Sequence, residues 1–242
     1  GIPTRLNRFA GTSNLFPLFK GARVSTQTKS RRIALDYVKT IGIVNNGFNG
    51  RGFANPYDIV VDGDGRIFVL NRCDPARAAA IRVGICTLDD EYLGEFGKGN
   101  GTGDGQFVWT VAMALDSQDR LHITDEHLHR VTVYDSSGNF LHKWGSFGSG
   151  DGQLQAPWGT AVDGSGRVYV TDTYNHRVQV FGANGAFMGN WGYPRTGDGQ
   201  FNPLIPGSSQ AADGWGSVGT GDGQFNTPSG ITVDGFGRVY VT

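Results

Sequence analysis

The 242 residues carry 21 Lys and Arg against 22 Asp and Glu, and 39 of them are glycine. A glycine share of about 16%, against roughly 7% on average, speaks against a mainly helical chain, and the lack of a three-residue glycine period excludes collagen. Hydrophobic residues at 38% and aromatics at 12% suffice for a core; no apolar run reaches the ~18 residues of a membrane span, and the net charge of −1 lends nothing to generic polyanion binding.

The small net charge hides an asymmetry. Residues 1–39 hold eight cations and one acid, whereas the remainder holds 13 cations and 21 acids. Residues 1–30 read as a basic, poorly structured arm, without the basic-then-apolar layout of a secretory leader. From residue 31 the pattern is that of strands. Ile33–Leu35 and Tyr37–Ile41 resemble the closing strands of a unit.

The glycines mark a repeat. Gly-Asp-Gly-Gln followed by Phe or Leu stands at 103–107, 150–154, 197–201 and 221–225, at spacings of 47, 47 and 24. Nine residues after Phe107, Leu154 and Phe225 an Asp closes an apolar run, giving Asp116, Asp163 and Asp234. Phe53 and Asp62 keep the same offset without the glycine prefix. Within 108–145 four strands are predicted: Val111–Leu115, Leu121–Thr124, Arg130–Tyr134 and Phe140–Trp144. Within 156–192 they fall at Gly159–Val162, Arg167–Asp172, Arg177–Phe181 and Ala186–Trp191. Short Gly, Asn and Asp turns between alternating runs read as antiparallel hairpins, and four such strands in about 45 residues read as a propeller blade. A first blade covers 52–98, with a longer connection at Asp74–Arg82. The segment 202–225 keeps the tail of a blade without its body, and reads as a remnant or a long loop. Residues 229–242 supply only two strands, Gly230–Val233 and Arg238–Val241; with 31–42 they can form one shared blade.

The phrases Val-Asp-Gly-x-Gly-Arg-Val-Tyr-Val-Thr-Asp at 162–172, Asn-His-Arg-Val-Gln-Val-Phe at 175–181 and Gly-Asp-Gly-Gln-Phe resemble NHL repeats. The resemblance covers about 190 residues. It implies an all-β propeller of four-stranded antiparallel blades. About four blades are recognisable, which is too few for the six-bladed ring usual in such proteins. The expected object is therefore an incomplete propeller, a fragment or a degenerate ring, over 31–242. The resemblance leaves function open, because propellers of this kind host protein binding, RNA binding and lyase chemistry.

Each candidate functional group has a structural reading beside it. The Asp residues of the first hairpins suit turn capping better than calcium binding, because later ligands of a calcium loop are missing. His129 and His176 share one repeat slot ahead of Arg130 and Arg177, and are expected to be structural. Asp125, Glu126, His127 and His129 gather two carboxylates and two imidazoles on one hairpin. They are the candidates for a divalent-metal site, with Glu126, His127 and His129 as candidate catalytic groups of a metal-assisted lyase or hydrolase. Glu126 beside His127 echoes the His/Glu cluster of streptogramin-lyase-like propellers. The histidines of amidating-lyase propellers have no counterpart, since the inner-strand starts carry Tyr57, Asp58, Trp109, Thr110, Trp158 and Ser229.

Tyr57, Asp58, Trp109 and Trp158, with Arg77 and Arg82 of the longer connection, are the candidates for ligand binding. Cys73 and Cys86 flank that connection and read either as a disulfide staple or as free thiols. The leading expectation is a non-catalytic binding scaffold. One loop face or the channel mouth would contact a protein, glycan or small-molecule ligand. A metal-dependent lyase or hydrolase stands second. RNA binding stands third, against the acidic body of the chain.

Overall fold

The computed structural model describes residues 37, 39–41, 52–73, 75–97, 99–192, 202–203 and 225–242. The basic arm at 1–30 lies outside them. So does most of the segment 31–42, and with it the pairing expected between 31–42 and 229–242. Of the blade remnant at 202–225, only residues 202–203 and 225 are described.

The described residues are almost entirely β. Blade 1 comprises β1 (Pro56–Val61), β2 (Ile67–Asn71), β3 (Arg82–Cys86) and β4 (Tyr92–Phe96). Blade 2 comprises β5 (Thr110–Leu115), β6 (Leu121–Asp125), β7 (Arg130–Tyr134) and β8 (Phe140–Trp144). Blade 3 comprises β9 (Pro157–Val162), β10 (Val168–Asp172), β11 (Arg177–Phe181) and β12 (Phe187–Trp191), and the two-residue β13 (Asn202–Pro203) adds to its outer edge. β14 (Ile231–Val233) and β15 (Val239–Val241) form a two-stranded sheet. Within each sheet the strands lie in chain order and pair antiparallel. The first strands of successive sheets pack against one another, which places them innermost. This is a propeller with three complete blades and one further hairpin among the described residues. Within the three blades and the final hairpin the predicted strand positions agree to within one or two residues, whereas the strand expected at Tyr37–Ile41 is not formed at its described residues 37 and 39–41. Asp74–Arg82 is the exception: it contains two short 3-10 turns, Pro75–Ala80, kinked at Arg77.

Stacking explains the strand sequences. β6, β7, β10 and β11 are buried because neighbouring sheets cover both faces, and β2 and β3 are covered by blade 2 on one face and by Ile41 and Phe53 on the other, whereas outer strands β4 and β8 alternate with solvent. The core is a series of interfaces. Phe68, Leu70, Ile81 and Val83 of blade 1 meet Met113, Leu121, Ile123 and Tyr134 of blade 2. Val131 and Val133 of blade 2 meet Val168, Val170 and Phe181 of blade 3. Phe107 and Leu154, the residues closing two Gly-Asp-Gly-Gln loops, are buried in these two interfaces. Each such side chain contributes about 1.5–3 kcal/mol by burial. Glycine is required where blades touch: at Gly185 (φ +83°) and Gly138 (φ +83°) a Cβ would collide with Trp144 and Phe96 of the preceding blade.

Every first hairpin closes on the same Asp–Arg pair. Asp62, Asp116, Asp163 and Asp234 each accept the amide N–H groups two and four residues on, at 2.9–3.0 Å. Their second oxygen accepts Nε of Arg66, Arg120, Arg167 or Arg238 at 2.6–2.7 Å. His122, Tyr169 and Tyr240 add a further contact to that oxygen. Burial alone would raise these carboxyls, but the amide, arginine and side-chain bonds outweigh it and hold all four below the usual carboxylate range.

A carboxyl lowered in the folded state stabilises the fold above its unfolded pKa and loses that contribution as pH falls. Stability is therefore expected to decline below about pH 4, followed by circular dichroism against urea. Asp163→Ala, which strips partners from Arg167, Ser165 and buried Tyr169, is expected to cost about 1–3 kcal/mol at neutral pH and to flatten that acid limb.

Candidate functional site

The connections at the two ends of each sheet differ. At one end lie the Asp–Arg hairpins just described. At the other, the lead into the innermost strand meets the turn from the second to the third strand. The register pairs Pro56 with Asn71, Thr110 with Asp125 and Pro157 with Asp172 at this end. A bulge interrupts each pairing next to it, at Pro56/Asp58, Thr110/Ala112 and Val170/Asp172. Bulges re-aim side chains and cluster at functional sites. Here Tyr57 and Trp158 stand in the bulges of blades 1 and 3.

Large aromatic rings remain exposed along this rim: Tyr57 (45%), Trp109 (39%), Trp158 (41%) and Tyr174 (59%). Tyr174 belongs to the turn Thr173–Asn175 after β10. His127, in the matching turn of blade 2, meets Trp109 edge-on with ring centres 5.6 Å apart. Arg72, directly after β2, bridges two blades. Its guanidinium carbon lies 4.8 Å from the Tyr57 ring centre and 5.0 Å from that of Trp109, and its Nη2 donates to Glu126 Oε1 at 2.9 Å.

The expected Asp125–His129 group does not converge. Asp125 is buried and accepts amide N–H groups of Val108, Trp109, His127 and Leu128 at 2.7–3.2 Å, so it caps the lead into β5 and the following turn. Asn71 and Asp172 do the same for Ala54 and Gln155. Glu126 is engaged by Arg72. His129, at φ +53°, accepts the Ala156 N–H on Nδ1 at 3.1 Å and meets the Phe147 ring at a tilt of 50°. Burial lowers its pKa, which keeps this accepting ring neutral. His176 repeats the bond with the Thr227 N–H at 3.0 Å, as its shared repeat slot implied. Among the described residues no three His, Cys, Asp or Glu side chains stand together as a metal-binding group. With their lone pairs directed to amides and a guanidinium, Asp125, Glu126 and His129 do not fit a divalent metal, and no chemistry is routed through one.

The other candidates are dispersed. Asp58 accepts N–H groups of Ile59 (2.8 Å) and Met113 (2.7 Å), linking inner strands of blades 1 and 2, and burial raises its pKa. Arg77 is exposed on the 75–80 turn. Arg82 lies inside the protein: it pairs with Glu95 at 2.8 Å and donates to carbonyls of Ala79 and Gly52. Arg130 and Arg177 are likewise spent on the glycine loops. Arg130 donates to Thr102, Gly103 and Gln106 carbonyls, and Arg177 to those of Gly150 and Gln153. Cys73 and Cys86 are free thiols on different sides of blade 1: Cys73 packs against the blade 1–blade 2 interface, and Cys86 with Ile67, Val69, Ile41 and Phe53.

Residues 154–181 match the NHL repeat. No curated protein matches the chain in sequence. Among solved structures, a catalytically inactive virginiamycin B lyase from Staphylococcus aureus with quinupristin is similar at TM-score 0.51 and 14% identity, over 83% of this chain and 51% of that one. A streptogramin B lyase is similar at TM-score 0.50 and 13% identity, over 78% and 48%. The chain spans about half the length of these lyases, and at such identities the likeness shows the fold.

Reactivity should separate the two thiols. In native protein Cys73, half-buried, is expected to react with maleimide well before Cys86, whose thiol burial pushes up, with Asp90 adding to the shift. Mass spectrometry of labelled peptides reads the order; equal labelling, or none without reductant, contradicts it.

Proposed function

We propose that this chain, an NHL-type β-propeller, is a binding scaffold that contacts its ligand through the rim bearing Tyr57, Trp109, Trp158 and Tyr174. The observation that carries this reading is the exposure of four large aromatic rings at one end of the blades, beside Asp125 and His129, whose acceptors are occupied by backbone amides, and Glu126, which is held by Arg72. Rings of this kind give area at low conformational cost and anchor interfaces. At the opposite end the Asp and Arg of each hairpin satisfy one another's charges, and Phe236 is the ring exposed on those turns.

The partner class is a protein, glycan or small molecule. The acidic body, with 13 cations against 21 acids beyond residue 39, disfavours nucleic acid. Among the described residues no helix is long and apolar enough to cross a membrane. The lyase reading has weaker support. It rests on folds similar at 14% identity or less, and Glu126 and His129 are held in structural bonds. A ring completed by a blade shared between 31–42 and 229–242 belongs to the same proposal, as does a six-bladed whole.

Affinity capture from native lysate, with glycan-array binding alongside, tests the rim. Trp158→Ala and Tyr174→Ala are each expected to weaken the captured partner about tenfold or more. Leu88→Ala, on an exposed turn at the opposite end, is expected to leave capture unchanged. Identical partner profiles for all three variants and wild type would overturn the rim as the binding face.

A further inference from the structure

The stack around Arg72 is a complete cation site assembled from two blades. Tyr57 comes from the bulge of β1, Trp109 from the lead into β5 and Glu126 from the turn after β6. Two aromatic faces stand 4.8 and 5.0 Å from one guanidinium carbon, and a carboxylate oxygen stands 2.9 Å from its Nη2. A planar guanidinium suits this arrangement better than an ammonium, because it stacks on rings while donating in its own plane. The occupant belongs to the chain itself. The Arg72 backbone is fixed by its N–H bond to the Asn55 carbonyl at 3.1 Å, whereas its head is held by Glu126 and the two rings. Both rings are also open to solvent.

We propose that this cage is a guanidinium-binding site whose external ligand is an arginine side chain of a protein partner, entering by displacement of Arg72; the inference rests on the rim being the binding face. The exchange is close to balanced, since Glu126 trades one guanidinium for another and the released Arg72 regains water. Charge favours it, because the acidic body of the chain attracts a cationic partner. Tethered Arg72 acts as an intramolecular competitor, so a lone guanidinium binds wild type weakly and removal of Arg72 exposes the affinity of the cage.

The test titrates ethylguanidinium chloride into the full chain, at concentrations that leave circular dichroism unchanged, with ethylammonium chloride as the control. The readout is the Trp109 indole N–H resonance, assigned by its loss in Trp109→Phe. Arg72→Ala is expected to bind ethylguanidinium at least about tenfold more tightly than wild type and to prefer it to ethylammonium. Adding Glu126→Gln is expected to abolish the gain. Equal titrations of wild type and Arg72→Ala, or no preference for guanidinium over ammonium, would overturn the cage. If Arg72→Ala does not fold, Arg72→Gln keeps a polar stem at the position and is judged by the same comparison. Failure of the guanidinium titration while Trp158→Ala still loses its partner removes the cage and leaves the rim standing. Guanidinium binding with capture unchanged in both Trp158→Ala and Tyr174→Ala supports the cage as a cation site but overturns the rim, and with it a partner's arginine as the ligand.

Discussion

A guanidinium buried at the start of the third strand ties each of the best-formed blades to the loop that leads into it from the blade before. Arg177 is 1% exposed, a position that an unpaired charge could not hold at reasonable cost. The fold supplies its compensation from two sides. Asp172 receives Nε at 2.7 Å, and the Gly150 and Gln153 carbonyls receive the far nitrogen at 2.8 and 2.9 Å. Those carbonyls face inward because the loop is rich in glycine. Leu154, at the end of the loop, then enters the interface between blades 2 and 3. Arg130 makes the same clasp with the loop at 102–106. Arg82 replaces it with Glu95 and the carbonyls of Ala79 and Gly52, which accommodates a connection without the glycine phrase.

Once the loops are clasped, blades register through small polar contacts on the inner strands. Thr124 Oγ1 donates to the Trp158 carbonyl at 2.6 Å, and Thr171 Oγ1 to the Ser229 carbonyl at 2.9 Å. The Asp58–Met113 bond joins blades 1 and 2 in the same region. His129 and His176 reach forward to the following lead. These contacts place the rim aromatics on a rigid frame, which limits the ordering cost of binding there. The rings can vary because the frame satisfies itself without them.

The blades and their hairpins were legible in the sequence because each rests on residues close together in the chain. An Asp with an Arg four positions on, flanking Gly and an alternating run, reports a turn wherever it stands. The shared slot of His129 and His176 likewise announced a structural role. The Arg72 stack was not legible, because it joins Tyr57, Arg72 and Trp109 across an interface whose spacing no local pattern encodes. Nor was the dispersal of Asp125, Glu126 and His127: neighbours around a tight turn point apart, one into the amides, one to Arg72 and one against Trp109. The 3-10 turns at 75–80 escaped notice since their sequence has no repeat partner. Tyr174 was available to sequence reasoning as the counterpart of His127, and its exposure follows from the same turn.

Blade-by-blade stacking also sets how the molecule loses structure. Among the described residues, blade 2 has a full blade on each side, blade 3 has blade 2 and a two-stranded hairpin, and that hairpin rests on blade 3 through Ile231, Val233, Val239 and Val241. In an array with nearest-neighbour coupling, opening free energy depends on how many interfaces a unit keeps. Amide exchange protection should then peak in β6 and β7 and fall off toward β14 and β15. The described blades are in that sense a short one-dimensional array, with their most labile hydrogen bonds where stacking is thinnest.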